Sequence, residues 1–150
     1  MSEDVETEWP DDRKWSAGSI VLKSRTVSAS EISARLGITA DRQFERGTLM
    51  NPRNPANSRR RQNSVWVLTS GLANNSDLAD HVRALLGLVD GCRDELAQLA
   101  ADCELTLSLG FGSENGQGGC LLPADLLADI AALRLDILLD LYPPRAPEFR

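Results

Sequence analysis

The stretch from Cys103 to Tyr142 most constrains what this chain can fold into. Leu105, Leu107, Leu109 and Phe111 alternate with Thr106, Ser108 and Gly110, the period-two pattern of a strand with one buried face. A glycine-rich turn follows, from Gly110 to Gly119. Pro123 then suits the first position of a helix. Leu126, Leu127, Ile130 and Leu133 recur at helical spacing and predict its buried face. Leu135, Ile137, Leu139 and Leu141 alternate with Asp136, Leu138, Asp140 and Tyr142, which predicts a last, half-buried strand. Pro143 and Pro144 stop it.

The upstream chain supplies the partners of this unit. Ser19 to Val27 reads as a first strand, with Ile20 and Leu22 on one face and Lys23 and Arg25 on the other. Ser28 and Glu31 form an S-x-x-E capping box, with Val27 and Ile32 at the staple positions. Gly37 is a C-terminal stop, so this helix is short, Ala29 to Leu36. Thr39 to Gly47 reads as a short edge strand or an irregular approach to a hairpin. A long polar loop, Leu49 to Ser64, leads into a strand at Val65 to Thr69. Asn75 or Ser76 can cap the next helix. Its apolar stripe runs Leu78, Val82, Leu85, Leu86, Val89, Cys92, Leu96, Leu99, with Gly87 and Gly91 inside it.

Helices and strands mingle, and the strands alternate instead of running fully apolar. At 150 residues this predicts one α+β domain. Its expected architecture is a single mainly antiparallel sheet with helices packed on one face. The core would be a ferredoxin-like β-α-β-β-α-β arrangement, extended by a C-terminal helix and strand. The domain is expected over 16–144. Residues 1–15 read as an acidic, disordered tail and 145–150 as a frayed end. Trp9 and Trp15 are out of place in such a tail and are expected to dock on the domain or on a partner.

The chemistry-bearing residues are few. The Gly110–Gly119 turn lies where phosphate loops lie, but it matches neither nucleotide signature and carries Glu114. It reads as a chain reversal. Cys120 at a helix start lacks a base nearby in sequence, and the lone histidine, His81, is expected to face solvent. Asp125, Asp129, Asp136 and Asp140 read as solvated faces. Three scattered cysteines and one histidine give no zinc spacing. No catalytic residue, metal or cofactor is expected, and the chain reads as a non-enzyme.

The Asn-, Pro- and Arg-rich loop is the better binding element. Arg53, Arg59, Arg60 and Arg61 lie in it without an acid, so they can grip phosphates or a carboxylate-rich protein surface. An unengaged hairpin tip is the plain alternative. The net charge of −6 disfavours general nucleic-acid or anionic-membrane binding. A protein partner is therefore expected, with nucleic acid second. Reduced thiols, no secretory signal and no span of about 20 apolar residues point to the cytoplasm.

With these elements placed, the chain resembles a bacterial family known as domain of unknown function 4279. The resemblance rests on Ser28–Ile38 after the first strand, the Arg46-Gly47 pair, Val65–Leu72 leading into Asp77–Val89, and Gly116–Pro143. The chain departs at Leu122, where a capping residue is expected, and at Arg134, where such helices often end in glycine. The resemblance implies a small α+β domain without assigned activity. It also implies a loose association with immunity proteins, whose partners are cognate toxins.

Overall fold

The computed structural model describes residues 14–113 and 118–142. Its elements are β1 (Lys14–Ser24), α1 (Ala29–Leu36), β2 (Arg42–Phe44), β3 (Ser64–Thr69), α2 (Leu78–Val89), α3 (Arg93–Leu99), β4 (Glu104–Ser113), α4 (Ala124–Ala132) and β5 (Asp136–Tyr142). The fold is α+β, and its strands form one five-stranded sheet in the order β2-β3-β1-β4-β5. β1 is antiparallel to β3 and β4, and β2 is antiparallel to β3. β5 instead joins β4 in parallel. The mainly antiparallel expectation therefore holds from β1 to β4 and gives way at β5, making the sheet mixed. The cause is the connection. A helix between two strands returns the chain to its starting end, so the second strand runs the same way.

One face of the sheet carries the core. Ile20 and Leu22 of β1, Trp66 and Leu68 of β3 and Leu105, Leu107 and Leu109 of β4 meet Ile32, Val82, Leu85, Leu96, Leu126 and Ile130 of the helices. Trp15, Ala17, Ser19 and Val21 on the other face of β1 stay half-exposed. Trp66 is fully buried, and its indole Nε1 donates to Ser33 Oγ at 2.9 Å, which satisfies its one polar group.

β1 starts at Lys14, well before the expected Ser19. The buried face there carries Ser16 and Gly18, which an apolar-alternation test misses. Ser16 is buried and its hydroxyl donates to the Ser76 carbonyl. Trp15 belongs to the strand, and its ring lies 4.8 Å from that of Tyr142. Trp9 lies outside the described residues. β4 in turn runs on to Ser113, so Gly110 and Gly112 are strand residues and not part of a reversal. A Cβ on Gly110 would lie 2.9 Å from the Trp15 ring. Glycine is what lets the two aromatics meet across β4.

α1 spans Ala29–Leu36 as its local signals predict. Ser28 Oγ accepts from the Glu31 amide at 3.0 Å, and Gly37 closes the helix at φ 69°. The reciprocal half of the box is different: the Glu31 carboxylate faces Arg35 at 3.7 Å. The long apolar stripe is split into α2 and α3 by a 3-10 turn, Asp90–Cys92, around Gly91. Asp77, not Asn75 or Ser76, stands at the N-cap position of α2, and its side chain makes no capping hydrogen bond among the described residues. His81 does not face solvent; it is 1% exposed. Leu78, His81, Val82 and Leu85 share one helix face, and that face is the buried one. α4 begins at Ala124 with Pro123 as its cap, and Leu127 turns outward while Leu126 and Ile130 are buried.

β5 corrects the expectation of a half-buried strand: every one of its residues is exposed. It alternates as expected, but it is an edge strand, and α4 directs Leu126 and Ile130 into the core. Among the described residues, no helix is long and apolar enough to cross a membrane.

Candidate functional site

The long loop folds back on itself as a hairpin. Gly47 N donates to Arg61 O and Arg61 N to Thr48 O, both at 2.8 Å, and Met50 N donates to Arg59 O at 2.8 Å. A 3-10 turn at Pro55–Asn57 makes the tip. This pairing places Arg59, Arg60 and Arg61 on the returning arm, beside the end of β1 that carries Lys23. Arg53 lies at the tip and lines neither of the clefts described next.

Two adjoining clefts share Arg60, Arg61 and Gln62. One, of about 570 Å³, adds Lys23, Met50, Arg59, Asn63 and Val65. The other, of about 410 Å³, adds Arg25, Arg46 and Gly47. The folded chain thus joins three of the four predicted arginines to Lys23, Arg25 and Arg46, which the reading of the loop alone missed. A signal was present, because Lys23 and Arg25 alternate as the outward face of the first strand expected from the sequence, although β1 itself ends at Ser24.

The guanidiniums are held before any ligand arrives. Arg61 stacks on Phe44 of β2, with its Cζ 3.8 Å from the ring centroid. Arg60 Nη1 donates to the Gly47 carbonyl at 2.8 Å, and Arg46 Nη1 to the Arg25 carbonyl at 2.8 Å. Each such anchor uses few of a guanidinium's five N–H donors, leaving others for an acceptor. Fixing the side chains in advance reduces the entropy lost on binding.

Among the described residues, no carboxylate lines either cleft. The nearest in sequence, Glu45, is turned away to α1. Its Oε1 accepts from the Ala29 amide at 2.8 Å and the Ser64 hydroxyl at 3.1 Å. Its Oε2 accepts from the Ser30 amide and hydroxyl, each at 3.1 Å. Burial pushes this carboxyl up, but the hydrogen bonds outweigh burial and hold it below the usual carboxylate range. The Glu45 charge thus faces a helix N-terminus and not the arginines. Chemically, the clefts can bind an anion in forked, charge-assisted hydrogen bonds.

The other singled-out residues are scattered. Ser70 Oγ lies 2.6 Å from His81 Nδ1, while His81 Nε2 makes no hydrogen bond of ordinary geometry among the described residues. Burial pushes the imidazole down. Cys120 is exposed, beside a cleft that also takes in Lys14 and Arg83, and His81 is not among its lining residues. Burial pushes the Cys92 and Cys103 thiols up, away from the reactive thiolate. Among the described residues, no three His, Cys, Asp or Glu side chains could together hold a metal ion. Asp125, Asp129, Asp136 and Asp140 are all exposed. Glu114 and the residues up to 117 lie outside the described set.

Comparison with known proteins gives one match. The family described as Domain of unknown function (DUF4279) matches residues 14–144, most of the chain, so the chain belongs to that family. No curated protein and no solved structure matches it.

Proposed function

We propose that this family member is a non-enzymatic binding protein that receives an acidic surface of a partner protein in its paired cationic clefts. The observation that carries the reading is the convergence of Lys23, Arg25, Arg46 and Arg59–Arg61 from three segments onto clefts with no lining carboxylate among the described residues. On a chain of net charge −6, such a patch orients an approaching acidic partner, because the rest of the chain is net negative. The finer form is immunity-like neutralisation of a toxin in a bacterium, which the family resemblance suggests. We read β2-β3-β1-β4, antiparallel throughout with helical crossovers, as a ferredoxin-like split β-α-β core, to which α4 and β5 are an extension.

The second reading is a nucleic acid or phosphorylated ligand. Phe44 favours it: the Arg61–Phe44 stack adds an aromatic to a cationic groove, the combination that single strands use. One experiment separates the two. The chain and its Arg60→Ala/Arg61→Ala variant serve as bait in the native host, and single-stranded RNA binding is followed by anisotropy across a salt series. A protein retained by the wild type and lost from the variant supports the first reading. Steeply salt-dependent RNA binding without such a protein replaces it with the second.

A further inference from the structure

We propose that β5 pairs edge to edge with β5 of a second copy, joining two sheets into one continuous sheet about a two-fold axis. β5 has β4 on one side and nothing described on the other. Ile137, Leu138, Leu139, Leu141 and Tyr142 are 41%, 55%, 52%, 67% and 46% exposed, a run of large apolar side chains along an open edge. Sheets normally protect such edges with lysine, proline, a bulge or a very short strand. The opposite edge, β2, is three residues long and carries Arg42. β5 is seven residues long, with no lysine or proline in it, and its two charges, Asp136 and Asp140, lie on the face away from the helices.

The charge pattern selects the occupant. Asp136 and Asp140 share a face with Leu138 and Tyr142, while Ile137, Leu139 and Leu141 share the helix-bearing face. In the two-fold antiparallel register centred on Leu139, Leu139 meets its own copy and Ile137 meets Leu141. Asp140 then lies opposite Leu138, and Asp136 opposite Tyr142. The whole strand is paired, the apolar side chains form one ladder, and no aspartate opposes another. A shift of two residues in either direction shortens the pairing. One shift sets Asp136 against Asp140, the other Asp140 against itself, and like charges directly opposite are destabilising. The strand is therefore self-complementary in one full-length register, the property an isologous interface requires. The proposal uses the opposite side of β1 from β3 and the basic hairpin, so it stands apart from the cleft reading.

Sedimentation of the full chain should give a species of twice the 16.3 kDa chain mass that dissociates on dilution. Leu139→Lys should return it to the chain mass with an unchanged circular dichroism spectrum. In a Cys120→Ser background, Leu139→Cys should form a disulfide-linked dimer under mild oxidation, since directly opposed residues lie within disulfide reach. Leu138→Cys, which faces Asp140 of the other copy, should link far less. If Leu139→Lys does not fold, the cysteine pair decides alone. A wild type that is monomeric at every concentration overturns the proposal. So does a dimer that Leu139→Lys leaves intact, or equal linking at positions 138 and 139.

Discussion

Glu45 should be worth more to this fold than its half-buried position on a polar segment suggests. Its carboxylate takes two α1 amides and two hydroxyls, four donors within 2.8–3.1 Å. A lost helix cap costs about 1 kcal/mol. The charge at the helix N-terminus adds about 0.5 kcal/mol, and the leftover Ser64 contact a similar amount, discounted for partial exposure. Glu45→Ala should thus destabilise by about 2 kcal/mol, or about 6–10 °C in thermal midpoint for a domain of this size. Glu45→Gln should lose about 1 kcal/mol, since its amide nitrogen must face a donor on one side. Because the folded carboxyl is held below its ordinary value, its contribution is complete above the ordinary carboxylate range. It is lost as pH falls through the lower folded value. Urea melts of wild type and Glu45→Gln at a series of pH values test this. The two should differ at pH 7 and converge in acid. A difference below about 0.3 kcal/mol at pH 7, or one that does not shrink in acid, refutes the reasoning.

Two further perturbations probe other parts of the fold. His81 is held neutral by burial, so the unfolded chain takes up a proton that the folded chain resists as pH falls below 6.5. Stability should decline from that point towards pH 5, and His81→Phe should flatten the decline in denaturant titrations; an unchanged slope would refute it. Arg134 sits at φ 61° after α4, a left-handed conformation that costs about 1 kcal/mol for a residue with a Cβ. Arg134→Gly should raise stability by about 0.5–1 kcal/mol, read as a higher denaturant midpoint; a lower one would show that the side chain contributes more than the strain removes.

What was legible in the sequence followed from the range of the forces involved. α1 could be delimited because Ser28 and Gly37 act within a few residues. The Glu45 cap could not, since it joins residues sixteen apart through the tertiary fold. The start of β1 was hidden because Ser16 and Gly18 occupy its buried face, and Gly110 looked like a turn because its Trp15 neighbour is on another strand. The alternation in β5 correctly reports two faces, but whether a strand has a neighbour on each side is a property of sheet order. The same limit applies to the clefts. Arg59–Arg61 stood out as a charge run, whereas Lys23 and Arg25 joined them only through the pairing of β1 with β3.

The Trp15–Tyr142 contact also fixes where this domain can be tethered. The described chain enters at Lys14, which pairs with Ser113, and leaves at Tyr142, beside Gly112. Both connections therefore attach at one end of the sheet. The cationic clefts begin around Lys23, ~30 Å further along β1 at the usual rise per residue. A fluorophore placed on Lys14 or Tyr142 themselves would therefore lie at the end of the sheet opposite the clefts.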